Sequence, residues 1–596
     1  MAALGIDTER SFGEVLPLLL SLRQKRQIWA TVDSWCYRIE WRLLRDEPVR
    51  ARGRWLVVGS ACVGVVEAVI GAFREADIDV DYIDLDANQM SRSGLASLLQ
   101  NKAGTGKVAG VLSLAAIDER PSSNWPSMTQ GLQVNLLLLQ AFADIDADLP
   151  LWCVTSGAVE IGNLEQITST MQVQMWGMGQ VASLEYPRWW GGLIDLSETS
   201  DRIVLQRMIA SLSRSDGEDQ LAVRPSGVYG RRMVRAVLPE SLKSEGWKPR
   251  GTVLITGGTG GIGGYLARWA AANGAQHVVL ASRRGYNAQG AQELEMGLRA
   301  LGSRVTIVTC DVTRREDVAA LLSVTDSDAA PLTAVIHAAG NGLLSPITET
   351  DPELFETVTG PKVVGVQHLD ELLGDRVLDA FVLFSSGAAT WGNAGGAAYA
   401  AGNAFLDGLA QRRRSRGLTA TSLAWGGWAA GGMAGTREAA EYLTRNGVQL
   451  MDPDSALAAL PRVVGCGEAT MTVANLNWRQ FVPLYTLSRH RSLIQELPET
   501  QSVLQSAQEE PEAESLAVLR ARLAGLAPAE QHALILDTVR GQIAEVLGHD
   551  SGAVIDPARN FQDLGFDSLT AVETRNRLNT VTGLRLPATL VFDYPT

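Results

Sequence analysis

Tyr399 stands in the run WGNAGGAAYAAGN, eight residues after Trp391 and four before Asn403, and the residues between them are Gly, Ala and one Asn. A phenol can donate a proton, and small neighbours would leave room for a substrate and a cofactor. The same small residues also suit a helix that packs closely on a neighbour, so the run alone leaves both readings open.

The stretch VLITGGTGGIGGYLARWAAANGA reads as a strand, a glycine turn and a helix. Thr256, Gly257, Thr259, Gly261, Ile262 and Gly263 span a TGxxxGxG spacing, which lets backbone amides approach a pyrophosphate at the positive end of the helix. The next strand, HVVLASRRG, ends in Ser282, Arg283 and Arg284, where an NAD-specific fold usually carries an acid. Cations there can pair with a 2′-phosphate, so the expected cofactor is NADPH. The following strand ends at Asp311 and Val312, with Asp311 a partner for the adenine. The one after, LTAVIHAAG, ends in Ala338, Ala339 and Gly340, also expected along the cofactor. His337 in that strand is expected to pack and not to catalyse. With a hydride from NADPH, a ketone also needs a proton, and a free tyrosine with a pKa of about 10 is helped by a nearby ammonium. Four residues after Tyr399, where most short-chain dehydrogenases carry that lysine, stands Asn403.

The elements that must position these residues repeat. VAGVLSLAA (108–116) and LWCVTSGAVEIG (151–162) echo LTAVIHAAG (332–340) and FVLFSSGAATWG (381–392) in order, each reading as buried strands of a parallel sheet. The first copy lacks the full glycine spacing in WLVVGSACVGVVEA and has no lysine between Lys107 and Lys243, so it is expected to bind no cofactor. Before both copies, apolar Val15, Leu18, Leu19 and Leu22 share one helical face, and WCYRIEWRLL alternates like a strand. After them, ELPETQSVLQSAQEEPEAES reads as a flexible acidic linker. A helical stretch then leads to GFDSLTAVETRNRL, where Ser568 follows an Asp at a helix start.

Lys362, Ser386, Tyr399 and Asn403 together resemble the catalytic set of ketoreductases from modular type I polyketide synthases, a family that exchanges the lysine and asparagine positions. The resemblance covers essentially the whole chain. It implies an α/β fold: two Rossmann-like subdomains of short-chain dehydrogenase/reductase type, the first without cofactor, followed by a small all-α carrier domain. The expected divisions are a helical dimerisation element at 1–34, a structural subdomain at 35–242, a catalytic NADPH-binding subdomain at 243–490, a linker at 491–514 and an acyl carrier domain at 515–596. By this resemblance Tyr399 donates the proton, Ser386 bonds the ketone, Lys362 orients the nicotinamide ribose and lowers the tyrosine pKa, and Asn403 supports the network. The N-terminal segment is similar to the dimerisation element of modules without dehydratase and enoylreductase, which implies a homodimer; a helix packed within the monomer is the other reading. LGFDSL and VFDYPT resemble a carrier, with 4′-phosphopantetheine on Ser568. The carrier is expected to lack a final helix and the chain to be a piece of a larger synthase, with ketosynthase and acyltransferase outside it. Trp391, together with Gly396 where some relatives have His, is similar to the class giving L-configured 3-hydroxyacyl products from unepimerised substrates. A free-standing reductase of small ketones and a silent scaffold for the carrier are the rival readings.

The bulk properties agree with a soluble chain of several domains. Over 596 residues it is 46% hydrophobic and 20% charged, and its net charge of −14 argues against a nucleic-acid surface. Its five cysteines are scattered without a CxxC pair, which fits a reducing cytoplasm and gives no sign of a metal site. No apolar run reaches membrane-spanning length, so a cytoplasmic location is expected.

Overall fold

The computed structural model describes residues 12–596 except 61–63, 87–89, 105, 163–164, 199–200, 243–245, 327–329, 430, 510–512, 548, 550, 562, 565, 567, 585, 587–589, 591–593 and 595–596. Residues 1–11 of the expected dimerisation element and residue 243 at an expected boundary lie outside the described residues. The chain divides into one unit of residues 1–440 and 450–475 and another of residues 441–449 and 476–596.

In the first unit a helix, α1 (Phe12–Trp35), runs straight into strand β1 (Cys36–Leu43). Six parallel strands follow: β2 (Arg54–Gly59), β3 (Asp79–Asp84), β4 (Val108–Ser113), β5 (Leu151–Ser156), β6 (Trp190–Leu196) and β7 (Gln220–Arg224). Strand β8 (Gly227–Arg235) turns back antiparallel to β7. The second half has seven parallel strands: β9 (Thr252–Thr256), β10 (His277–Ser282), β11 (Arg304–Thr309), β12 (Leu332–His337), β13 (Ala380–Ser386), β14 (Thr421–Trp425) and β15 (Thr470–Val473). All fifteen form one sheet in the order β11-β10-β9-β12-β13-β14-β15-β1-β8-β7-β6-β5-β4-β2-β3. Strand β1 is the seam, antiparallel to β8 on one side and β15 on the other. The inner parallel strands are largely buried and apolar, as parallel strands covered on both faces require; Val253, Leu254 and Ile255 are all fully buried, while the edge strands β3 and β11 end in exposed residues.

The two halves also meet through helices. Helix α2 (Val173–Glu185) packs along α3 (Ala397–Ser415), the helix that carries Tyr399. A Cβ on Gly177 would stand 2.2 Å from the Ala400 carbonyl oxygen, and one on Gly408 would stand 2.7 Å from the Val173 side chain. The small residues around Tyr399 therefore serve close helix packing as well as leaving space. At the start of the chain, Val32 and Trp35 are buried, and Asp33 pairs with Arg462 on α4 (Pro453–Gly465) at 2.7 Å. The last turns of α1 are thus packed within the monomer.

The second unit departs from two expected divisions. Residues 441–449 and 476–490, expected within the catalytic subdomain, group with the carrier region. The reason is apolar: Leu484 and Leu487, at and beyond the end of helix α5 (Trp478–Tyr485), cluster with Phe561, Phe566 and Ala571. Within 491–514, expected as flexible linker, most of the described residues are helical. Leu493, Ile494 and Leu497 are buried, and α6 (Pro498–Glu509) follows them. The Glu, Gln and Ser around it hide this small apolar anchor. Helices α7 (Pro528–Leu547) and α8 (Ser568–Thr582) form the body of the carrier region, with Arg577 paired to Glu545 at 2.6 Å.

Candidate active site

The strand order reverses between β9 and β12, and a crevice at the carboxyl ends of strands is where such sheets bind ligands. The expected cofactor residues gather here. Gly257 adopts φ +69°, and a Cβ on it would come 2.8 Å from the Ala338 carbonyl oxygen. A Cβ on Gly263 would come 2.2 Å from the Gly257 carbonyl oxygen, so the turn closes backbone on backbone. The helix Gly261–Ala272 starts after Gly260 with no side chain capping its amides, which leaves them to an anion. Thr259 Oγ1 donates to Ser282 Oγ at 2.7 Å, and the Gly285 amide donates to the same oxygen at 3.1 Å, so Ser282 braces the turn. Beyond it Arg283 and Arg284 are exposed. Asp311 Oδ1 accepts from the Thr313 amide at 3.0 Å and its hydroxyl at 2.8 Å. Val312 is buried, Ile262, Ala338 and Ala339 are half-buried, and Gly340 is exposed. The glycine turn and the uncapped helix start fit the pyrophosphate of a dinucleotide.

Three elements bring the four catalytic candidates together: a strand, a turn and the helix that carries both Tyr399 and Asn403. Ser386 ends β13, and its Oγ accepts the Ala388 amide at 3.3 Å. Lys362 arrives from the turn before the helix Val364–Leu373, is buried, and donates from Nζ to the Phe384 carbonyl at 2.8 Å. Its Nζ stands 5.9 Å from the centroid of the Tyr399 ring. Asn403 Nδ2 donates to the Tyr399 carbonyl at 2.7 Å, and Ser385 Oγ donates to the Asn403 carbonyl at 3.1 Å. Burial pushes the Tyr399 phenol above its ordinary range, while the Ser386 and Asn403 side chains beside it pull the other way. Burial pushes the Lys362 ammonium down to about 8, opposed by the charge of Asp407.

Asp407 is a site residue that sequence reasoning missed. It lies on the same helix as Tyr399 and Asn403, at successive four-residue steps, so the spacing itself places all three along one face. Burial pushes its carboxyl up to about 6, and its Oδ1 accepts from Ser422 Oγ at 2.6 Å. His337 behaves as a packing residue: it is fully buried, its Nδ1 lies 2.9 Å from Thr256 Oγ1, and burial holds it neutral with a pKa of about 3. Trp391 is only 6% exposed, with its indole against Gly387, where a Cβ would stand 2.3 Å from the ring. Gly396 precedes the first residue of α3. Ser568 is the first residue of α8; its side chain lies outside the described residues, as does Asp567. Among the described residues no cluster of His, Cys, Asp and Glu is placed to hold a metal, and no helix is long and apolar enough to cross a membrane.

A glycine cradle at the switch point, with tyrosine, serine and a buried lysine beside it, defines a reductase of the short-chain dehydrogenase type. Comparison with known proteins narrows this. Residues 251–430 match the KR domain, 43–233 the Rossmann fold domain of the polyketide synthase extender module SpnB, and 537–596 the phosphopantetheine attachment site. A solved structure described as an A1-type ketoreductase is 41% identical, with a TM-score of 0.76 over 80% of this chain and all of that one. A-type ketoreductases from a modular polyketide synthase give 41% identity and a TM-score of 0.75, over 79% of this chain and all of theirs. The polyketide synthase GfsA of Streptomyces halstedii is 43% identical over 99% of this chain, and the pikromycin synthase component PikAIII of Streptomyces venezuelae is 41% identical over 95%. This chain spans 8% of the former and 36% of the latter. Identity at this level along the full length of solved relatives places the chain among the ketoreductases of modular polyketide synthases, here joined to a phosphopantetheine attachment domain.

Proposed function

We propose that the chain reduces a carrier-bound 3-oxoacyl thioester with NADPH to an L-configured 3-hydroxyacyl thioester, the intermediate being tethered through 4′-phosphopantetheine on Ser568. The observation that carries this reading is the convergence of Ser386, Tyr399 and buried Lys362 beside the open glycine turn. When bound in that turn, NADPH supplies the hydride. The chain's own residues supply the rest: Ser386 and Tyr399 hold the ketone oxygen, the Tyr399 hydroxyl gives it a proton, and the Lys362 ammonium stabilises the charge left on the phenolate. Asn403 keeps its helix turn and the Tyr399 backbone in place. Arg283 and Arg284, exposed at the end of β10, support the choice of NADPH over NADH, and Asp311 is assigned to the adenine side. The L configuration is supported by Trp391 ahead of Tyr399 and by likeness to a structure described as A1-type; Gly396 supports an unepimerised substrate. A dimer through the start of α1, and ketosynthase and acyltransferase partners outside the chain, belong to the same reading.

The test is NADPH consumption on a 2-methyl-3-oxopentanoyl thioester with chiral chromatography of the product. A predominantly D-configured alcohol would overturn the stereochemical assignment, and no turnover would overturn the reductase. Intact-mass measurement with coenzyme A and a phosphopantetheinyl transferase tests Ser568, which should be loaded where Ser568→Ala is not.

A further inference from the structure

Glu185 closes α2 in the first half of the sheet, yet its carboxylate serves the second half. Oε1 accepts the amide of Gly395 at 2.7 Å, and Oε2 accepts the amide of Ile347 at 3.0 Å. Those amides belong to the two loops that border the active site. Residues 392–396 lead into the helix of Tyr399, and residues 338–350 follow the end of β12. The loops are also tied to each other, with the Ser345 amide donating to the Gly395 carbonyl at 2.6 Å and a parallel bridge between Ser345 and Gly396.

Further residues of the first half hold the longer loop from behind. Buried Gln140 donates from Nε2 to the carbonyls of Ile347 at 2.9 Å and Thr350 at 2.8 Å. Arg92 donates to the carbonyl of Thr348 at 2.5 Å. Among the described residues Glu185 forms no ion pair; its carboxylate is held by the two backbone amides and by the Tyr186 side chain. Such charge-assisted bonds are shorter and stronger than neutral ones and fix geometry in two directions. Just ahead of the anchored points Leu343 and Leu344 stand exposed on the same loop, an apolar lip beside the crevice.

We propose that Glu185 is a positioning residue for the reaction of the other half: by holding Gly395 and Ile347 it sets the groove through which the ketone reaches Tyr399, and so the face presented for reduction. This rests on the reductase function proposed above. The half that has no cofactor turn would then contribute to stereochemical outcome through one carboxylate.

The experiment uses the full chain and the 2-methyl-3-oxopentanoyl thioester. Glu185→Gln keeps the volume but sets an NH2 against one of the two amides. The expected result is a rise of roughly tenfold in the minor stereoisomer, the scale of a small misplacement near the chemistry, with NADPH affinity within about twofold of wild type. Gln140→Leu should shift the ratio in the same direction by less. An unchanged product ratio and unchanged kcat/KM in Glu185→Gln would overturn the proposal. Should the wild type reduce nothing, the reductase reading fails instead, and amide exchange judges the positioning by itself: Gly395 and Ile347 should exchange slowly in the wild type and quickly in Glu185→Gln. Should that variant not fold, Gln140→Leu and wild-type exchange decide, fast exchange at both amides being the adverse result.

Discussion

The two halves of the sheet follow the same plan and end their strands differently. In the second half the ends of β9, β10 and β12 open onto a glycine turn and exposed arginines. In the first half Arg224 closes the ends of the strands: it pairs with Asp195 at 2.9 Å and with Glu165 at 2.8 Å, and donates to the carbonyls of Asp195, Val223 and Val159. Asp195 is fully buried, accepts from Thr155 Oγ1 at 2.7 Å, and has its carboxyl pushed up by that burial against the pull of Arg224. The third and seventh residues of α3 are Tyr399 and Asn403, while those of α2 are Met175 and Gly179. A shared sheet order therefore fixes packing without fixing chemistry, which lies in what the strand ends and one helix face carry.

The strongest way to break this contrast is Tyr399→Phe, which should lower kcat/KM by roughly a thousandfold while leaving NADPH binding intact. Met175→Leu, at the matching position of the closed half, should leave kcat/KM unchanged and cost under about 1.5 kcal/mol in chemical unfolding. Retained activity in the first variant would remove the catalytic role of the helix face. Next comes the surface the two halves share. Gly177→Ala should destabilise the fold by about 1–3 kcal/mol, read as a lower Tm, because its new methyl meets the Ala400 backbone. Smaller is Arg283→Ala, expected to cut the preference for NADPH over NADH by roughly tenfold, the scale of one charge-assisted contact. Smallest is Asp407→Asn. Activity that needs the Lys362 ammonium falls as pH rises through about 8. Removing the anion that holds that pKa up should move this limb to lower pH by roughly half a unit, while the acid side stays in place. A profile unmoved by the substitution would separate Asp407 from the lysine.

The candidate residues of the open half were legible in the sequence, because Tyr399, Asn403 and the glycine turn each lie within one short run. Asp407 was readable too, one helical step past Asn403, but a lone Asp in a helix ahead of Arg412, Arg413 and Arg414 looks like ordinary surface charge. Glu185 was not readable. Its partners are backbone amides 162 and 210 residues away, and backbone leaves no residue-type signal. The buried stretch around Leu493, Ile494 and Leu497 was hidden for a different reason: three apolar residues suffice to dock a segment whose composition is otherwise that of a coil.

Strand β1 has a consequence for how the molecule is made. It leaves the ribosome before either of its neighbours exists, since β8 comes at 227–235 and β15 only at 470–473. Until both have been synthesised, its amides and carbonyls form an open edge able to pair with another nascent chain. The sheet can be stitched across its middle only after nearly all of both halves has been translated, which makes this eight-residue strand the last join of the unit although it is among its first residues.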